Sequence, residues 1–315
     1  MRWSDRGILT RRNLVVALGV IWILDGALQF QPYMYSSGFF HSLLGQTVTP
    51  LLIRLTYGSV TARLVCNTLA ALLQIGIGAG LLYRRSEKVA LGASFAWGVL
   101  VWIAGEKLGG LISPGASMAI GGAPGAALVY SLLSLMLWPR RPAAQRAAGE
   151  MRAAGEMRSA GERAGLLGRR GALALWAAIW AGTGLLELER SNYSPRAITA
   201  QIAAQAPASG VMARMDSWFV HVASGSGTVI AIALLVVQLG IGLGVLWPST
   251  RKLALAGGMG ASVVFWVVGQ NFGGILSGGQ ATDPNLGPLM VLFALVLWGS
   301  SVVSASHRGA AMAST

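Results

Sequence analysis

The chain has 315 residues, of which 54% are hydrophobic and only 11% are charged, with a net charge of +13. Soluble domains carry about 25% charged residues, so too little charge is present to cover a water-facing surface, and a lipid bilayer is expected to solvate much of the chain. The basic excess does not point to nucleic acid, because its Lys and Arg residues sit in short segments between apolar runs, where they act as topology signals.

Arg2, Arg6, Arg11 and Arg12 precede the first apolar run, which lacks a small-residue cleavage site, so the first helix is expected to stay as an anchor. Apolar runs close to the spanning length of about 20 residues fall at 14–31, 60–83, 88–112, 124–138, 171–188, 227–247, 252–277 and 285–304. The expected fold is all-α: a polytopic membrane protein with about eight transmembrane helices arranged as two parallel four-helix repeats. The first repeat covers 1–138, a basic cytoplasmic linker covers 139–170, and the second repeat covers 171–315. Between the first two runs, Phe39-Phe40-His41-Ser42-Leu43-Leu44 reads as a short amphipathic helix lying in the interface. Ala200-Gln201-Ile202-Ala203-Ala204-Gln205 reads the same way between the fifth and sixth. The linker repeats an Arg-Ala-Ala-Gly-Glu unit from Arg146, which suits a flexible tether or a docking site for a cytoplasmic partner.

Eight spans would put the N-terminus, Arg84-Arg85, Lys88, the linker, Arg251-Lys252 and Arg308 on one side. The opposite loops would hold only Arg54, Arg63, Arg190, Arg196 and Arg214, so both termini are expected in the cytoplasm. The two halves also match residue by residue. Gln74-Ile75-Gly76-Ile77-Gly78 pairs with Gln238-Leu239-Gly240-Ile241-Gly242, and at the same offset Lys88 pairs with Lys252 and Trp102 with Trp266. Gly105-Glu106-Lys107-Leu108-Gly109-Gly110 pairs with Gly269-Gln270-Asn271-Phe272-Gly273-Gly274. At the front, Trp22 pairs with Trp180 and Gln29-Phe30-Gln31 with Glu187-Leu188-Glu189. An even number of spans per unit gives both units the same sense, so their pseudo-twofold axis is expected along the membrane normal.

The Gly-spaced helix from Gln74, the basic turn and the Ala-rich helix after Lys88 resemble the DoxX-like group of four-helix membrane proteins. Trp22-Ile23-Leu24-Asp25-Gly26 with Gly105-Glu106-Lys107-Leu108-Gly109-Gly110 resembles a duplicated bacterial multi-pass family that brings no assigned activity. The resemblance implies a bacterial plasma (inner) membrane and, from some DoxX-like members, quinone- or thiol-linked redox work. Gln74 and Gln238 stand where an acidic residue is common in that group.

Ionisable groups inside a bilayer are expensive and so are site candidates. At 1.5 Å per helical residue, Asp25 lies about 20 Å from the cytoplasmic face and Glu106 about 27 Å. Glu187 and Glu189 fall at a similar level, and Gln270 and Asn271 match Glu106 and Lys107 by the repeat. Asp25, Gln29, Glu106, Lys107, Glu187, Glu189, Gln270 and Asn271 are therefore the candidate ligand-binding or ion-coupling set, gathered in the outer half of the membrane. The opposing view is that they only pair with each other or meet headgroup water. Mid-membrane Gln74 and Gln238 read as hydrogen-bonding glue between helices, with a quinone carbonyl or a translocated solute as the alternative contact.

Cys66 is the single cysteine, which excludes dithiol chemistry. Neither His41 nor His221 has a histidine at its repeat partner, which argues against b-type haem, and no spacing suggests a metal site. Asp283-Pro284-Asn285 reads as a helix N-cap with proline at the first helical position. No nucleotide-binding loop or nucleophile–base arrangement marks a known enzyme class. The leading expectation is a membrane binding module, or a subunit of a larger membrane complex (a redox complex among the candidates), with an outward-facing polar site. A secondary transporter and a purely structural scaffold are the rivals. The expected partners are the lipid bilayer and other membrane subunits.

Overall fold

The structure is a computed structural model that describes residues 9–44, 59–139, 162–207, 209–276 and 278–298. Arg2, Arg6, Arg54, the linker repeat from Arg146, His307 and Arg308 lie outside the described residues. Eleven helices form among the described residues, and no strand does. In chain order they are α1 (Arg11–Leu28), α2 (Ser37–Leu44), α3 (Val60–Leu82), α4 (Glu87–Ala104) and α5 (Ala126–Met136). There follow α6 (Gly168–Leu186), α7 (Ala197–Gln205), α8 (Gly210–Val222), α9 (Gly227–Gly244), α10 (Arg251–Val264) and α11 (Leu286–Trp298).

Local chemistry sets several of these boundaries. Thr10 and Ser59 cap α1 and α3 by accepting from the backbone N–H of Asn13 and Ala62, each at 3.2 Å. Arg12 reaches the last carbonyls of α3, donating to Leu81 O (2.8 Å) and Leu82 O. Arg11 and Arg12 both pair with Glu87 at the start of α4, so Arg12 ties α1 to both α3 and α4.

Helix is found at each expected apolar run, but two runs end early. Where helix was expected across 88–112 and 252–277, α4 stops at Ala104, and α10 ends at Val264 with one π turn continuing to Gly269. After each comes a left-handed turn of four residues. Lys107, Leu108, Gly109 and Gly110 have φ of 51, 57, 64 and 74°, and Asn271, Phe272, Gly273 and Gly274 have 47, 55, 69 and 75°. A left-handed residue with a Cβ costs roughly 1–2 kcal/mol, which is why half of each turn is glycine. The glycine pairs do more than close a helix. A side chain at Gly109 would collide with the carbonyl of Pro124, and one at Gly273 would meet that of Asp283 at 2.5 Å.

By length and composition, α3, α4, α9 and the segment Arg251–Gly269 are long and apolar enough to cross a membrane. α5 has 11 residues, so it is about 16 Å long. The outward faces of the long helices are apolar: Leu69, Leu72, Val229 and Val236 are all more than half exposed. Such a surface suits hydrocarbon contact.

Inside, α1 packs on α3, α4 on α5 and α6 on α9. Glycines let the first of these pairs touch backbone to backbone. A Cβ at Gly78 would sit 2.6 Å from Gly19 O, and one at Gly26 2.7 Å from Ala71 O. The core between α6, α10 and α11 is aromatic, with Trp176 5.5 Å from Trp180 and 5.6 Å from Phe293 between ring centres. Two connections cross between halves. Asn192, after α6, donates to Ala116 O (2.8 Å), while Gln31, after α1, donates to Ala281 O (3.1 Å).

Candidate functional site

Trp22 and Asp25 on α1 and Gln29 at its C-cap recur at three- and four-residue steps and so share one face. That face meets Asn67 and Gln74 of α3, Trp97 of α4 and Tyr130 of α5 around a cavity of about 370 Å³. Phe39 and Phe40 of α2 close one wall. Glu106, beyond the end of α4, and Thr282 with Asp283, from the loop before α11, complete the lining.

The polar groups are held in place by hydrogen bonds within and around the lining. Tyr130 donates its hydroxyl to Asp25 Oδ2, and Asn67 Nδ2 donates to Gln29 O at 2.7 Å. Gln29 in turn donates to Thr282 O at 3.2 Å, which ties α1 to the distant loop. Glu106 sits over the N-terminus of α5 and accepts from Ala127 N at 3.1 Å, where a helix end favours negative charge. Trp102 fixes the same corner by donating to Pro124 O at 2.8 Å. Asp283 folds its own loop, accepting from Asn285 N (2.6 Å) and Thr282 Oγ1 (2.9 Å).

Three atoms in this lining have no partner. Asp25 Oδ1, Gln74 Oε1 and Trp97 Nε1 are buried and make no hydrogen bond, although Asp25 is only 2% and Gln74 8% exposed. Asp25, Glu106 and Asp283 are close enough for their charges to act on one another. No Lys, Arg or His belongs to the described residues of the lining. A second cavity of about 360 Å³ adjoins the first and shares Glu106, Ala126, Gly105, Thr282 and Asp283 with it. Its remaining walls are mostly glycine, from Gly109, Gly122 and Gly273 among others, and Asn285.

The expected single cluster is divided. Asp25, Gln29 and Glu106 line the first cavity together, but Glu187 does not join them. It is fully buried in a separate network, accepting from Ser117 Oγ (2.7 Å) and Gln238 Nε2 (3.1 Å), while Gln238 Oε1 accepts from Thr183 (2.9 Å). The reason is packing: Ser117 lies on the connection that crosses to the second half and fills that space. Gln238 thus bridges α9 and α6 as hydrogen-bonding glue, whereas its counterpart Gln74 lines a cavity and leaves its buried carbonyl unpartnered.

Glu189 is exposed and accepts from Gly115 N at 3.3 Å, outside both cavities. Lys107 is in the left-handed turn and lines neither cavity, so Glu106 and Lys107 are not helical neighbours. Gln270 repeats the setting of Glu106, accepting from Gly287 N (3.3 Å) beside Trp266, which donates to Pro284 O (2.6 Å). It also donates to Met118 O at 2.8 Å, so it is held on both sides. Asn271 donates to Asp216 Oδ2 at 3.0 Å, and burial pushes the Asp216 carboxyl above its ordinary value.

Sequence reasoning missed Tyr130, Asn67, Trp97, Asp216 and Asp283. Asp283-Pro284-Asn285 was expected as an N-cap with proline first in the helix, but α11 begins at Leu286 and Asp283 faces the cavity. Among the described residues, no three His, Cys, Asp or Glu side chains converge as a metal-binding set. No known protein family, curated protein or solved structure matches the chain.

Proposed function

We propose that this chain is an integral membrane binding protein of the bacterial inner membrane, with eight membrane segments in two parallel four-helix units and both termini cytoplasmic. Its first unit, completed by Thr282 and Asp283 of the second, holds a small molecule in the carboxylate-lined cavity, which opens to the outer side through the glycine-walled space. The observation that carries this reading is the polar and aromatic lining whose Asp25 Oδ1 and Gln74 Oε1 are buried and unpartnered. A buried polar atom left unsatisfied costs about 1–3 kcal/mol, and a ligand toward which these side chains turn would recover it. The matched environments of Glu106 and Gln270, each over a helix N-terminus beside a Trp-to-Pro hydrogen bond, support the duplicated unit.

Native mass spectrometry of the full chain released from lipid nanodiscs tests this reading. A small-molecule mass should accompany the native protein and be lost in Glu106→Gln, with the melting temperature unchanged. The fold accepts an amide at the matching place, Gln270, so loss of the ligand without loss of stability is the expected outcome. An identical adduct in the variant, or none in either protein, would refute the assignment.

Transport is the second reading, favoured by one observation. Polar side chains from α1, α3 and α5 meet at one cavity, and that cavity adjoins another at Glu106 and Asp283.

A further inference from the structure

We propose that the ligand of this cavity is an organic cation: a protonated amine carrying an apolar body. The inference rests on the binding reading above and deepens it. Asp25, Glu106 and Asp283 bring three carboxyl groups to one lining whose described residues include no cationic side chain. Burying like charges together costs several kcal/mol per ion unless positive charge or protons neutralise them; in its ionised form this lining repels anions and attracts cations.

The rest of the lining selects among cations. Trp22, Trp97 and Tyr130 stand beside the carboxylates, with the Trp22 and Tyr130 rings 4.2 Å apart between centres. Aromatic faces attract alkylammonium groups and pack against carbon, whereas a hydrated inorganic ion gains little from them. The carboxylates also do not converge as a metal-binding set among the described residues. Asp25 Oδ1 and Gln74 Oε1 are both acceptors without donors. Once these side chains turn toward the cavity, an ammonium with N–H bonds supplies those donors, and a quaternary ammonium does not. The volume, about 370 Å³, falls in the range of small-molecule sites, about 300–1,000 Å³.

Cys66 gives a direct test, because the only cysteine of the chain lines this cavity. Its thiolate would attack a methanethiosulfonate reagent, forming a mixed disulfide and expelling methanesulfinate. The probes are the cationic 2-aminoethyl and the anionic 2-sulfonatoethyl reagents, applied to the full chain in nanodiscs. Rates are compared with those of free 2-mercaptoethanol. The cationic reagent should be favoured at least tenfold beyond the free-thiol ratio, and n-butylammonium should slow it. Asp25→Asn, which keeps an acceptor for Tyr130, and Glu106→Gln should each cut the preference at least threefold, while Glu189→Gln should not.

If both reagents react without charge preference, the cavity is a ligand site but not one for cations, and the inference falls alone. If neither reacts while the unfolded protein labels fully, the cavity is closed and the binding reading falls with it. A preference that survives both cavity variants would also overturn the inference, since the carboxylates would not be its source.

Discussion

Replacing Glu187 by Ala removes the acceptor shared by Ser117 Oγ and Gln238 Nε2 and leaves both donors buried. Each stranded group costs about 1–3 kcal/mol. Glu187→Ala should therefore lower unfolding stability in detergent by that order while leaving Cys66 labelling unchanged; a variant as stable as the native protein would show that the network contributes nothing. Asp25 and Glu187 looked alike in the sequence, since each is an acid near the end of an apolar run. What separates them is which crossing connection reaches each one, and no local pattern encodes that. Asp25 and Glu106 were legible because a polar residue inside an apolar run stands out; Gln74 stood out for the same reason but read as glue between helices. Tyr130 was not, because a lone tyrosine in an apolar helix carries no such contrast. Asp283 was hidden by a loop sequence that already had a sufficient local explanation.

Among the elements, the contact between α1 and α3 depends on which glycines face inward. A Cβ at Gly78 would meet Gly19 O at 2.6 Å, whereas one at Gly76 would meet nothing within 4 Å. Gly78→Ala should push the helices apart and destabilise by about 1–3 kcal/mol, while Gly76→Ala on the same helix should be harmless. Equal melting temperatures for the two would contradict this packing. The sequence showed the glycine spacing and the positions of all the long helices. The glycine pairs marked helix ends or break points within 88–112 and 252–277, but not that helix stops before Glu106-Lys107 and Gln270-Asn271, because the same residues at the end of an apolar run also fit one more helical turn. Only the glycine pairs marked the left-handed turns, and Lys107-Leu108 and Asn271-Phe272 gave no sign of positive φ.

For the whole molecule, the proposed topology places position 155 in the cytoplasm and positions 45 and 205 outside. Single cysteines there, in a Cys66→Ser background, should label from those sides in intact cells, and labelling of position 155 from outside would rule out eight spans. The two halves are stitched by more than the linker. Ser117 and Met118 complete the surroundings of Glu187 and Gln270, and Thr282 and Asp283 complete the cavity beside Asp25.

That exchange has a temporal side. A chain leaves the ribosome N-terminus first at about 5–20 residues per second, so the roughly 150 residues between α5 and Asp283 take on the order of ten seconds to make. Throughout that interval α1, α3, α4 and α5 exist without the loop that carries Thr282 and Asp283 and ties back to Gln29. The chamber is then missing a wall and one of its three acids. On the binding reading proposed above, the chamber is complete only once the loop carrying Thr282 and Asp283 has been made.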